Sequence, residues 1–258
     1  MASKRLKLHV LILFSLLNLF SPAFAEEGGT DASNPTASVN YNDIRYVSYD
    51  LAGTAAGRER DRIALEGAYV LAEGHKFSYK LNYWDTNRTG QDESDFESVQ
   101  VKYINLRPGQ LSGGTKYKRA LGVEVIADLG DVDKGIGNGT DQIAPLFGAG
   151  WLLGERDFVV TLVQYFHSVD EDVNAEKVRT TGPRLIWIHK LPAIKGWFKL
   201  DNKFSIDHEN DDKTSNAVEL QFGKMFSPTL GLYVDYLNNT GGYTQYDDAI
   251  GVGLRLMY

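Results

Sequence analysis

Reading back from Tyr258, apolar side chains stand at every second position: Leu256, Leu254, Val252 and Ile250. Between them stand Met257, Arg255, Gly253 and Gly251, so one face is uniformly apolar and the other small or charged. That period of two is the signature of a β-strand with two unlike environments. The same unit recurs from Val39 onward. Twelve alternating segments are expected, at 39–52, 60–72, 76–86, 95–107, 117–129, 140–153, 157–169, 177–190, 195–208, 213–225, 229–239 and 245–258. Ile63, Leu65, Tyr69 and Leu71 oppose Arg62, Ala64, Glu66 and Ala68. Phe198, Leu200, Phe204 and Ile206 oppose Lys199, Asp201, Lys203 and Asp207. Segment 157–169 is apolar on both faces, so its register cannot be read from the pattern.

Most segments exceed the five or six residues usual in soluble sheets and match the nine to eleven of a tilted membrane crossing. The breaks alternate in kind. Those after odd-numbered segments are polar and often acidic, as in Gly130 to Gly139. Those after even-numbered segments are mostly tight, as in Glu73-Gly74-His75, with Pro108 to Lys116 the longer exception. Long loops at one end and short turns at the other suit an outer-membrane barrel. The expected fold is all-β: one closed antiparallel transmembrane β-barrel of about twelve strands over 39–258. Tyr41, Tyr46, Tyr49, Trp84, Tyr103, Tyr117, Trp151, Trp187, Trp197 and Tyr258 fall near segment ends and suit interfacial girdles.

The N-terminal region agrees. Lys4, Arg5 and Lys7 precede an apolar run from Leu8 to Phe20, and Ala23-Phe24-Ala25 fits a cleavage site. Residues 1–25 thus form an expected secretory signal peptide, followed by a polar periplasmic lead-in at 26–38. The chain has no cysteine, which excludes lipoprotein anchoring, disulfides and thiolate chemistry. Its formal charge is −7, and losing the three bases of the signal segment leaves −10. An acidic chain argues against nucleic acid as a partner.

The face opposite the apolar one carries both signs of charge. Lumen-lining candidates are Arg62, Glu66, Lys80, Glu124, Lys199, Asp201, Lys203, Asp207, Glu219, Asp235 and Arg255, with Lys76, Lys102, Lys118 and Asp128 in the same pattern. A base facing lipid at mid-depth would cost roughly 2–4 kcal/mol, so these side chains belong inside. They either line a hydrated path or pair across the bore and seal it. No catalytic residue is assigned. A barrel hydrolase needs a serine and a histidine on one face within reach, and no local spacing supplies them: His167 and Ser168 are adjacent and point to opposite faces. Asp131, Asp133, Asn138 and Asp141 crowd one loop, but their spacing is not that of an EF-hand, so no metal is assigned and no cofactor is expected.

The run Leu191-Pro192, then Gly196-Trp197-Phe198-Lys199-Leu200-Asp201, then Phe204 through Asp211, resembles the outer-membrane transporter family related to the MetA protein of phenol-degradation pathways. That family often shows a Leu-Pro, a Trp-Tyr-Leu strand and an Asp-Trp-Glu stretch there; His208 stands where its tryptophan would be. Leu220 to Phe226 resembles its Gly-Lys-Val-Phe segment, and the likeness spans about 135–258. The resemblance implies an outer-membrane barrel passing small, often aromatic or hydrophobic molecules, and it transfers no site residue.

The combined expectation is a passive channel or transporter for small molecules in the bacterial outer membrane. Its expected partners are membrane lipid and lipopolysaccharide, the barrel-assembly machinery through the C-terminal strand, and a small-molecule solute, with the chain acting as a monomer. The alternatives are a membrane-embedded lipid hydrolase and a sealed structural or surface-interaction barrel.

Overall fold

The computed structural model describes residues 40–258 apart from 52–58, 87–92, 112–114, 135, 173–174, 176 and 242–245. The expected signal peptide and lead-in lie outside the described residues. Twelve strands follow in order: β1 (Tyr41–Leu51), β2 (Glu59–Ala72), β3 (His75–Thr86), β4 (Glu93–Gln110), β5 (Lys116–Asp128), β6 (Thr140–Leu153), β7 (Asp157–Glu171), β8 (Arg179–Leu191), β9 (Gly196–Asp207), β10 (Lys213–Met225), β11 (Leu230–Gly241) and β12 (Tyr246–Met257). Each pairs antiparallel with its sequence neighbours, and β12 closes on β1 with Asp43 opposite Arg255 and Arg45 opposite Gly253. Closure leaves no unpaired strand edge in the ring.

The molecule is apolar outside and polar inside. Ile250 is 67% exposed, Phe147 61% and Val234 55%, whereas Arg45 is 6% and Asp235 3% exposed. A water-soluble fold buries the first set and exposes the second, so this outer surface is suited to lipid. Aromatics cluster on the outside at the short-turn end, where Tyr117 stacks on Trp151 and Trp187 meets Phe198 edge-on. Four residues expected in girdles stand instead on the inner register: Tyr41, Tyr49, Trp84 and Trp197. They share a face with Asp43, Arg45, Lys80 and Lys199. Aromatic spacing along the chain does not distinguish the two faces; strand parity does.

The expected break at Pro108 is strand. Pro108 pairs with Lys118 and Gly109 with Tyr117. The ladder between β3 and β4 begins at His75 opposite Asn105, and Leu106 N–H donates to the Gly74 carbonyl beyond it. From there β4 outruns β3, so the missing N–H of Pro108, on the same side as that of Leu106, meets no strand. The neighbouring turn at Gly74 has φ +73°, a conformation that glycine takes without strain.

Inner-face glycines on β12 make room for large side chains of neighbouring strands. The Tyr233 ring lies directly over Gly253, and a Cβ there would overlap it. Gly253→Leu is therefore expected to destabilise the barrel by about 1–3 kcal/mol through overpacking. Urea unfolding in lipid vesicles, followed by the gel shift between folded and unfolded forms, reads this as an earlier midpoint. An unchanged midpoint would show that the ring moves aside without cost.

Candidate functional site

The lumen holds a cavity of about 480 Å³, lined by inner-register residues from the whole ring. In the ring order β1 lies opposite β7, which sets two unlike walls against each other. On one side Asp43, Arg45, Glu66, Lys80, Glu219 and Arg255 project inward. On the other stand Leu146, Val160, Leu162, Ile186 and Ile188, interrupted by Gln164 on β7 and Arg184 on β8. This explains why segment 157–169 is apolar on both faces: β7 faces lipid with Val159, Thr161 and Val163 and faces the apolar lumen wall with Phe158, Val160 and Leu162.

The charged wall is a chain of alternating sign running around the ring. Asp235 lies 2.8 Å from Arg45 Nε, and Arg45 Nη2 donates to Glu219 at 3.1 Å. Glu219 also accepts from Lys199 at 2.5 Å; Lys199 lies 3.8 Å from Asp201, which takes a bidentate pair from Arg184 at 2.7 and 2.6 Å. Further round, Lys80 meets Glu66 at 2.9 Å and Lys102 meets Glu124 at 3.0 Å, with the Gln164 amide also donating to Glu124. At the terminal end Arg255 donates from two nitrogens to Asp43, and its guanidinium stands over the rings of Tyr41, Trp197 and Tyr233. Most of these pairs join neighbouring strands, but Arg45 on β1 reaches past β12 to Asp235 on β11 and Glu219 on β10, and the cavity is the part of the lumen these contacts leave free.

Ten of the eleven sequence candidates stand on this inner surface. Glu66, Lys80, Glu124, Lys199, Asp201, Lys203, Glu219 and Arg255 line the cavity. Asp235 sits behind Arg45 with its side chain fully buried. Arg62 lies above the cavity against the rings of Tyr49 and Trp84. Asp207 is the exception. It shares the inner register but ends β9, and its carboxylate accepts from Glu209 N–H and the Asn210 amide to shape the turn. A strand's last residue sees loop backbone before it sees lumen. Lys76, Lys102 and Lys118 also reach the cavity. Asp128 instead accepts the backbone N–H groups of Gly130, Asn138 and Gly139, organising the loop that follows it.

Sequence reasoning missed Asp43, Arg45 and Arg184. The first two alternate with Ile44 and Tyr46, the same signal used elsewhere. Arg184 left no such trace, because Ile186 and Ile188 share its face.

The loop between β5 and β6 narrows the long-loop end. Ile136 is fully buried in one apolar cluster with Val47, Tyr49, Leu51, Trp84, Leu237 and Ala249, all inner-register wall residues. The loop is held there by the Asp128 hydrogen bonds, by Ile136 N–H to the Asp131 carbonyl, and by Asp172 N–H to the Gly139 carbonyl from the next long loop. The cavity lining stops beneath this cluster. Among the described residues no group of three or more His, Asp or Glu is placed to hold a metal.

One hydroxyl–imidazole–carboxylate chain stands on the outer rim. Thr181 Oγ1 lies 2.8 Å from His208 Nε2, and His208 Nδ1 lies 2.6 Å from Asp212. The β8–β9 pairing sets Thr181 opposite Ile206 and so beside His208, while His208 and Asp212 meet four residues apart within the turn that follows β9.

No family model and no characterised relative matches this chain. Solved structures do. A COG4313 outer membrane channel from Pseudomonas putida F1 matches with a TM-score of 0.64 at 9% identity, over 90% of this chain and 100% of the other. The NanC porin matches at 0.59 and 14% identity, over 83% and 98%. Outer membrane phospholipase A from Escherichia coli matches at 0.52 and 13% identity, over 85% and 92%. At such identities the likeness is one of fold: a porin-like outer-membrane barrel.

Proposed function

We propose that this protein is a passive outer-membrane channel for small molecules, delivered by a cleaved signal peptide and inserted as a monomer through its C-terminal strand. The observation that carries this reading is a cavity of about 480 Å³ left inside an apolar-jacketed barrel after its inner charges have paired. A purely structural barrel of this size has no need of a bore held open between charged and apolar walls. The likeness to two channel structures supports the reading, as does the resemblance to transporters of small, often aromatic or hydrophobic molecules. Purified protein in planar bilayers is expected to give discrete conductance steps, and proteoliposomes to swell in small solutes. Bilayers as silent as protein-free ones, together with no swelling, would reject it.

A second reading rests on the rim triad. Thr181, His208 and Asp212 stand in the order of nucleophile, base and orienting acid. Thr181 Oγ1 would attack a lipid ester carbonyl as its proton passes to His208 Nε2; the ester C–O bond breaks, the alcohol leaves with that proton, and water then hydrolyses the acyl-threonine in the same way. The hydrolase reading requires covalent labelling by a fluorophosphonate that disappears in Thr181→Ala and in His208→Ala. The channel reading expects no labelling in any of the three proteins.

A further inference from the structure

We infer that the lumen is a site for organic anions carrying an apolar body; the inference rests on the channel reading for the route by which such solutes arrive. Nine basic residues line the cavity against five acidic ones, Asp43, Glu66, Glu124, Asp201 and Glu219. Each of those acids already sits within 4.0 Å of a base. Adding Asp235, which stands behind Arg45, still leaves the bases in excess. The excess does not reflect general basicity, because the whole chain is acidic at −7. A surplus of fixed positive charge in a confined bore of low-dielectric wall draws anions and repels cations.

The opposite wall sets the rest of the ligand. Leu146, Val160, Leu162 and Ile186 offer apolar surface facing the charges, and an ordinary inorganic anion makes no use of it. Lys203 stands at the seam: on β9, it extends its ammonium to 4.7 Å from the ring of Phe166 on β7. An anionic head at Lys203 places an attached ring or short alkyl body against Leu162 and Ile186. About 480 Å³ accommodates such a molecule, within the usual range for small-molecule sites.

Three strong electrolytes separate these features, and none crosses lipid as a neutral form. Benzenesulfonate has the anionic head and the body, methanesulfonate the head alone, and benzyltrimethylammonium the body with the opposite charge. Calorimetric titration of the folded protein in detergent is expected to show benzenesulfonate binding severalfold tighter than methanesulfonate, with benzyltrimethylammonium weakest. Lys203→Gln is expected to weaken benzenesulfonate severalfold. Lys118→Gln, on exposed ground at the cavity edge, is expected to weaken it less while making no demand on folding. Failure of benzenesulfonate to bind, or an equal or better affinity for the cation, overturns the inference. Equal affinity for the two sulfonates removes the role of the apolar wall and overturns it as stated.

Bilayer recordings in a potassium chloride gradient separate the inference from the channel reading. They use the intact chain and a chain in which a two-residue turn replaces 130–138. A reversal potential on the chloride side supports the inference, and one on the potassium side overturns it while leaving the channel in place. Silence from both proteins, with benzenesulfonate still bound in detergent, removes the channel and keeps the site.

Discussion

Arg45→Met is expected to lower the unfolding free energy by about 3–5 kcal/mol, the cost of leaving buried charges without their partner. Arg45 is the one base in ion-pair reach of Asp235 among the described residues, at 2.8 Å, and the Asp235 side chain has no solvent exposure. Glu219 loses its 3.1 Å contact as well but keeps Lys199. Asp235 would be left with the Gln221 amide, whose single hydrogen bond does not balance a buried carboxylate. Urea unfolding in vesicles gives the free energy directly. Arg45→Met combined with Asp235→Leu is expected to recover much of the loss, since removing both members leaves no bare charge. A loss below about 1 kcal/mol in the single variant would place the pair among exposed ones and refute its burial.

Ile136→Gly is expected to raise single-channel conductance severalfold with little change in folding. The substitution removes the side chain that fills the socket of Val47, Trp84 and Leu237, and with it the apolar burial that holds the loop there, so the loop should leave the socket. The barrel itself does not depend on that contact. Strands β5 and β6 remain paired from Ile126 opposite Gln142 down to Tyr117 opposite Trp151. Replacing 130–138 with a two-residue turn should raise conductance at least as far. Unchanged conductance in both variants would mean that the loop does not set the narrowest section. The same recordings bear on selectivity. If the lumen charges select ions, opening the mouth raises current without reversing the preference for chloride.

How far the sequence could be read differs between the wall and what the wall encloses. Twelve strands were legible, and their bounds agree within a few residues with the observed ones, except where β4 continues through Pro108. Inner register was legible wherever polar and apolar residues alternated, which placed Lys80, Lys199 and Glu219 correctly. It was not legible on β7 and β8, because an apolar lumen wall makes both faces of a strand look alike. Asp207 has the right parity and the wrong height: alternation reports which face a residue is on, not how far along the barrel it stands. Ile136 gave no signal at all. A lone isoleucine among glycines and acids looks like any loop residue until the wall that buries it is assembled.

By itself the sequence determined the strand count, the closed apolar-jacketed architecture and the presence of both signs of charge on the inner face. Each of these follows from the two-residue pleat period and from turns a few residues long, which are local properties of the chain. The tertiary structure alone decided which charges meet, since Arg45 and Glu219 are separated by 174 positions. It also decided that the charged arc faces an apolar one and that one loop folds over the bore. Closing twelve strands into a ring sets β1 against β7. No local period encodes that opposition, and it gives the proposed anion site its apolar side.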